Sequence, residues 1–523
     1  MQITKLIIDN WLCLVGFEIN FKTNKRGSST ILIGENGTGK STMIDVILEI
    51  LMSFDSPAIE KKIAYAYEIQ YKYAQTSHTI KKEGHNYYIQ VGAEKFRGNY
   101  SAIKKKLSDK RIFPERIITF YSGANNKIID KIQHQNILYV SKCRDILKRY
   151  LNSMVDASIE GIYNFPKRKY NYCDETLIPI YLASILAGNS SFEKKYLQKN
   201  CHISSLQIII VSIDLTKISL NQNLNEDNFT IFQKIIGFID DRFLDFFQVN
   251  TFDKNSKKSY FVIDKLETKG IDPISILEFF EKLYSLFDAE FQVYVSLRDC
   301  EVEVGNMSEG QRQIIKVLGM LGICKSEDCL VMMDEPDAHM NPTWKYEIKK
   351  TIDNCLREAI NTQAIIATHD PLVINGVSKE FIRIFVLQNE IQEGKISKIT
   401  KVIEPSEDTE GLGIDGLLQS EYYGLKTSYD KKTSNKFIKR LKLYSKLING
   451  EASDEEKEIL RKLTIEIGAL PVSYNSIDFL YDDFVQVFKK SNLFSKEYLS
   501  YDEVLLRRKQ IKMIIEKLYK GKQ

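Results

Sequence analysis

Gly34-Glu35-Asn36-Gly37-Thr38-Gly39-Lys40-Ser41-Thr42 stands directly after a β-prone run at residues 30–33 and directly before a helical run at residues 43–54. A GxxxxGK[ST] segment between a strand and a helix is a phosphate-binding loop. Its glycines let the backbone curl until consecutive N–H groups face phosphate oxygens. Lys40 is placed to reach the β and γ phosphates, and the Ser41 hydroxyl to ligate Mg²⁺ at a helix N-terminus whose dipole favours anions. Asn36, Gly37, Thr38, Gly39, Lys40, Ser41 and Thr42 are therefore the candidate nucleotide-binding residues.

The chain around this loop has 523 residues, more than one hydrophobic core usually organises, so two or three domains are expected. With 43% hydrophobic and 27% charged residues it reads as a soluble globular protein rather than a disordered one. Its first ten residues lack a signal-peptide pattern and no stretch has the length of a bilayer span, which predicts a cytoplasmic protein without a membrane partner. Eight cysteines are scattered without a CxxC pair and show no metal-ligand spacing with the six histidines, so buried free thiols are expected rather than a zinc site. The net charge of +4 does not by itself argue for nucleic acid. Two local basic clusters leave that question open: Lys104, Lys105 and Lys106 with Lys110, Arg111 and Arg116, and Lys431, Lys432, Lys436, Lys439, Arg440 and Lys442. Each is either a solvated face or a phosphate-binding surface.

Residues 2–9 and 17–21 read as strands, and the short β-prone runs at 68–73, 79–80 and 87–91 as an antiparallel meander. Residues 116–121 form another β-rich run. From about 136 to 200 the pattern turns helical, with Leu147, Leu151 and Met154 on one face and an apolar helix through Leu177, Ile180, Leu182, Ile185 and Leu186. A strand is expected at 206–215, a helix at 273–287 and an alternating strand at 291–297. No sustained heptad repeat predicts a long coiled-coil arm. A terminal amphipathic helix is expected through Val504, Ile511, Ile514, Ile515 and Leu518.

Downstream motifs decide what kind of phosphate-loop protein this is. Asn306-Met307-Ser308-Glu309-Gly310-Gln311-Arg312-Gln313, read alone, is a helix start with Ser308 as its cap and Gln311 three positions later. Leu330-Val331-Met332-Met333-Asp334-Glu335 is an apolar strand ending in two acids, as in a Walker B motif. Asp334 would join Ser41 in the Mg²⁺ shell, and Glu335 would polarise the attacking water. Pro336-Asp337-Ala338-His339-Met340-Asn341-Pro342 resembles a D-loop, and Ala364-Ile365-Ile366-Ala367-Thr368-His369-Asp370-Pro371 is a strand ending in a histidine, resembling a switch histidine.

In order and spacing these motifs resemble an ABC-type ATPase head split by an insertion. The resemblance implies an α/β fold: a mixed-sheet head with an N-terminal lobe (1–135) and a C-terminal lobe (291–405), a mainly helical insertion (136–290) and a mainly helical C-terminal region (406–523). It implies ATP and Mg²⁺ as cofactors, Glu335 and His369 as catalytic residues, and Asp334 with Ser41 at the metal. In such heads the signature loop acts in trans, so Ser308 and Gly310 of one protomer would close on ATP held by Lys40 and Ser41 of another, as a homodimer or a higher oligomer. The Q-loop glutamine is not placed: Tyr121-Ser122-Gly123 occupies its neighbourhood, with Gln133 and Gln135 beyond.

The short insertion separates the chain from SMC proteins and brings it closer to RecF-like and OLD-like repair and defence ATPases. A finer likeness lies in Tyr121-Ser122-Gly123, in Asp334-Glu335-Pro336-Asp337 with Asn341-Pro342-Thr343-Trp344, and in Gly413-Ile414-Asp415-Gly416-Leu417-Leu418-Gln419-Ser420-Glu421-Tyr422-Tyr423-Gly424-Leu425. These resemble the ATPase of Septu-type and retron-associated antiphage modules, which works with a separate HNH nuclease. A regulatory ATPase controlling such an effector is implied, with nucleic acid left open as a further partner. After His369 there is no DxD pair, and the adjacent Asp482 and Asp483 suit a two-metal nuclease poorly, so nuclease chemistry is not expected in this chain. Two other readings stay open: a RecF-like repair ATPase that clamps DNA directly, and a nucleotide-gated assembly scaffold with little turnover.

Overall fold

A computed structural model describes residues 1–468 apart from 25–26, 75, 108–109, 111, 123–126, 156–163, 174, 189–190, 216–226, 248–250, 254–257, 265, 267–269, 299, 325–327, 360, 393–394, 426–428 and 449–450. The expected terminal helix and the Asp482-Asp483 pair lie outside the described residues. By contacts the chain divides into two compact units, Met1–Gly411 and Leu412–Gln523.

The first unit is organised around a seven-stranded sheet. Its order is Lys395–Ile403, Ile382–Gln392, Ser28–Gly34, Gln363–Ala367, Cys329–Asp334, Arg116–Tyr121 and Tyr170–Tyr172. All neighbours are parallel except the edge hairpin formed by the first two. The strand Cys329–Asp334 is buried at all six positions and Gln363–Ala367 at all five, the continuous apolar reading expected of strands covered on both faces. Register aligns Asp334 with both Tyr121 and Ala367. The carboxyl ends of the central strands thereby meet at one crest, where open parallel sheets bind ligands.

A six-stranded antiparallel sheet holds the N-terminal strands and the expected meander, in the order Leu14–Asn20, Gln2–Trp11, Tyr67–Tyr73, Thr76–Glu83, Asn86–Val91 and Glu94–Asn99. The helix Lys40–Ser53 is buried along ten of its residues, and its Met43, Ile47 and Leu51 belong to one apolar core with Leu6, Ile69 and Leu32 of the two sheets. A helix apolar on nearly every side must be covered on nearly every side, which fixes the phosphate loop rigidly above it. Gln363 ties the sheets together, accepting from Ile3 N–H at 2.7 Å and donating to the Ile3 carbonyl at 3.1 Å.

Helices predominate in the segment between the two lobes, among them Lys127–Val155, Ile178–Ala187, Asn228–Asp240 and Pro273–Phe287. It also shares with the start of the expected C-terminal lobe, across the expected boundary at residue 290, a sheet that the sequence showed only in fragments. Thr251–Asp253, Lys258–Asp264, Ile203–Ile213, Glu290–Leu297 and Cys300–Glu303 form a five-stranded antiparallel sheet. Phe261 and Ile263 face its core beside Ile209, Val211, Val293 and Val295, whereas Val262 between them is 59% exposed. The strand Lys258–Asp264 escapes a sequence reading because an outward valine interrupts its alternation.

The second unit contains the helices Gly413–Gln419, Lys431–Ile448 and Asp454–Gly468. Lys436 pairs with Glu466, and Lys446 with Glu456 at 2.6 Å, so the last two of these helices are laced by ion pairs. Among the described residues no helix is long and apolar enough to cross a membrane.

Candidate functional site

The phosphate loop leaves the strand Ser28–Gly34 and enters its helix at Lys40. Gly39 sits at the helix N-cap with φ 95°. A Cβ there would come within 2.9 Å of Cys13 Sγ, so both the conformation and the space demand glycine. The loop is braced from outside its own sequence: Thr400 donates its hydroxyl to the Thr38 carbonyl at 2.8 Å and its N–H to the Cys13 carbonyl at 2.9 Å. The Lys40 ammonium donates to the Gly34 and Glu35 carbonyls at 2.8 and 3.1 Å, which ties it back to the start of the loop.

Residues 36–42 with Tyr121, Asp334 and Glu335 line a cavity of about 300 Å³ at the crest of the sheet. Asp334 is 3% exposed and accepts a hydrogen bond from Ser41. Burial raises the Asp334 carboxyl above its ordinary range, and the Ser41 hydroxyl and Lys40 ammonium oppose that rise. The Lys40 ammonium is itself lowered by burial and held up by Glu335 and Asp334. A buried carboxylate against a hydroxyl is the hard oxygen pair that suits Mg²⁺, an ion that keeps most of its shell from phosphates and water. Asp334 and Ser41 would hold it, and it would neutralise charge on the transferring phosphate.

Glu335 follows with φ 54°, a left-handed conformation uncommon for a residue with a side chain. Its N–H donates to the Ala367 carbonyl at 2.8 Å, and its Oε1 lies 2.9 Å from His369 Nδ1. Burial raises the Glu335 carboxyl, against the opposing influence of His369. His369 stays 61% exposed and reaches the cavity through Glu335 rather than by lining it. Below, buried Asp337 accepts from the Thr368 hydroxyl at 2.9 Å, and Gln313 donates to the Pro336 carbonyl at 3.0 Å. These contacts tie the segment after Glu335 to the turn that follows the strand Gln363–Ala367 and leads to His369, and to the helix Glu309–Ile323.

The signature segment lies elsewhere. Ser308 caps the helix Glu309–Ile323 in a reciprocal capping box with Gln311 and is exposed. Gly310 packs its Cα against the next motif, where an added Cβ would meet the His339 carbonyl at 2.9 Å. Neither Ser308 nor Gly310 lines the cavity built by its own phosphate loop.

Two residues near the cavity had no assigned role in the sequence. Tyr121 lines it, and Ser122 donates its hydroxyl to the Glu335 carbonyl at 2.8 Å. In the sequence they stand at the end of a β-prone run, in the Tyr121-Ser122-Gly123 segment that carries part of the family resemblance, which assigns neither a role. Gln133 and Gln135 sit on the helix Lys127–Val155 and do not line the cavity. The first basic cluster does not form one face either. Arg116 is 1% exposed and pairs with Glu278, which takes it off the surface that the helical lysines 104–106 occupy; Lys110 is paired with Glu94 at 2.6 Å, and Arg111 lies outside the described residues. All eight cysteines are free.

A parallel sheet whose central strand turns through a glycine-rich loop into a buried helix, with Asp334 and Glu335 at the tip of a neighbouring strand, defines a P-loop nucleoside triphosphatase. The AAA ATPase domain family (AAA_15) matches residues 1–374, and the chain belongs to that family. It is similar to the Septu protein PtuA of Bacillus mycoides (strain KBAB4), 27% identical over 180 residues, 33% of this chain and 23% of that protein. The match therefore spans about a quarter of that relative. It is also similar to the "Retron Vc95 probable ATPase" of Vibrio cholerae serotype O1 biovar El Tor, 21% identical over 390 residues, 69% of this chain and 70% of that one. Among solved structures, an Smc head domain from Pyrococcus furiosus bound to the C-terminal domain of ScpA aligns at 14% identity with TM-score 0.34, covering 77% of this chain and 96% of that one. The SMC head domain from Thermotoga maritima aligns at 12% identity with TM-score 0.31, covering 78% and 100%.

Proposed function

We propose that this ATPase is the regulatory subunit of a prokaryotic antiphage defence module, in which ATP draws two heads together and so controls a separate nuclease. The observation that carries the head-dimer part is the split of the candidate site. Lys40, Ser41, Asp334 and Glu335 converge on one cavity, whereas Ser308 and Gly310 of the same chain do not line it. ATP would sit with its phosphates on residues 36–42. Glu335 would accept a proton from, or orient, the water attacking the γ-phosphate, with His369 holding its carboxylate. Ser308 of a second copy would supply its hydroxyl to the γ-phosphate. The closed state would bind ATP more tightly than the open one, and that difference would drive the switch.

The defence role is supported by the similarity to the Septu protein PtuA and to the retron Vc95 probable ATPase. The effector would be a nuclease of the HNH type. The test is purification of the chain with the products of its neighbouring genes, with and without ATP, and an assay of the complex for nucleic-acid cleavage. A co-purifying nuclease whose cutting changes on ATP addition supports the reading. A chain that purifies alone and binds DNA in a salt-sensitive manner would instead favour direct clamping.

A further inference from the structure

We propose that Ser122 is a positioning residue for ATP hydrolysis, its hydroxyl holding the left-handed backbone at Glu335 that turns this carboxylate into the nucleotide cavity. The inference rests on Glu335 being the group that acts on the attacking water.

Glu335 has φ 54°, where a residue bearing a Cβ is held only if its surroundings over-determine it. Three hydrogen bonds do so. Its N–H donates to the Ala367 carbonyl at 2.8 Å, and its own carbonyl accepts from Ala338 N–H at 3.2 Å and from Ser122 Oγ at 2.8 Å. The first two involve backbone donors, which substitution at those positions leaves in place. Ser122 supplies the side-chain donor.

Its placement is set by the sheet. The N–H of Ser122 donates to the Asp334 carbonyl at 3.3 Å, one step beyond the parallel pairing that sets Tyr121 opposite Asp334. The hydroxyl is thus registered to the strand that ends in the two acids. On the far side, the Glu335 carboxylate meets His369 at 2.9 Å. Backbone and side chain of Glu335 are therefore held from two neighbouring strands, by Ser122 at the carbonyl and His369 at the carboxylate. With the Ser122 donor gone, the Glu335 carbonyl keeps only the longer Ala338 bond, and the peptide is free to turn toward negative φ. That rotation redirects the Cα–Cβ bond and takes the carboxylate off its line to the γ-phosphate, while residues 36–42 keep their hold on the nucleotide.

The full chain carrying Ser122→Ala, Ser122→Thr or Glu335→Gln should be compared by steady-state phosphate release and by equilibrium binding of a fluorescent mant-ATP with Mg²⁺. Ser122→Ala is expected to lower kcat by about tenfold or more, the scale of one lost hydrogen bond at the reacting group, with mant-ATP affinity within about twofold of wild type. Ser122→Thr, which restores the hydroxyl, is expected to recover most of kcat. Adding Ser122→Ala to Glu335→Gln should leave the residual rate unchanged, because the group being positioned is already gone. If Ser122→Ala fails to fold, Ser122→Cys takes its place, with a kcat between those of wild type and Glu335→Gln expected and a wild-type kcat contradicting the proposal. Wild-type kcat in Ser122→Ala beside an inactive Glu335→Gln would overturn the role of Ser122 alone, as would Ser122→Thr being equally impaired. Wild-type turnover in Glu335→Gln would overturn the reading beneath it.

Discussion

The phosphate loop and the signature segment both place small residues at the N-terminus of a buried helix, yet one lines a cavity and the other faces outward. Around Gly34 to Thr42, donors from one loop, acids from a neighbouring strand and a hydroxyl from Ser41 converge on about 300 Å³. Around Ser308 and Gly310, the hydroxyl is spent on capping its own helix and the glycine is packed against the His339 backbone. The first arrangement is preorganised for a polyanion. The second holds a helix end in a fixed position, and its exposed cap is available to a surface brought against it.

The largest effect that would test this contrast is on turnover. Glu335→Gln removes the carboxylate while keeping its shape, and phosphate release should fall by about a hundredfold or more with ATP still bound. Lys40→Ala acts on the same half at the binding stage. It should weaken ATP by about a hundredfold, near 3 kcal/mol, measured by calorimetry on the full chain. Ser308→Ala acts on the other half, and should leave ATP affinity of the isolated chain within about twofold while turnover falls by about tenfold. It should also cost the helix about 1 kcal/mol through the lost cap, visible as a lower melting temperature. A weakened ATP affinity in Ser308→Ala would erase the distinction between the halves. At the small end, Lys110→Ala breaks an exposed pair with Glu94 and should change stability by less than about 1 kcal/mol, with turnover unaltered.

Much of the phosphate half could be read in the sequence because its parts are local. Glycines at fixed spacing, Lys40 and Ser41 in succession, and an apolar run ending in Asp334 and Glu335 each carry their own pattern. The apolar runs at 30–33 and 330–333 and the one leading to His369 mark strands of a buried sheet, but their order in it appears only in the structure. What could not be read is supplied across long separations. Thr400 bracing Thr38, Gln363 joining Ile3, and Ser122 holding Glu335 are single polar side chains in otherwise ordinary segments. Nothing in their neighbours' identities marks a partner hundreds of positions away. The five-stranded sheet was read only in part, for another reason. Its strands Ile203–Ile213 and Glu290–Leu297 were legible, but Thr251–Asp253 and Cys300–Glu303 are too short to show a period and Lys258–Asp264 carries an outward valine, so the pairing that makes them one sheet was not.

The composite nature of the site is tested most directly by complementation. Lys40→Ala and Ser308→Arg chains, each differently tagged, would be co-expressed and the doubly tagged species isolated. Each variant alone should be inactive in phosphate release. The mixed species should regain turnover, because it pairs the intact phosphate loop of one copy with the intact Ser308 of the other. A mixed species no more active than its two parents would contradict a site shared between copies.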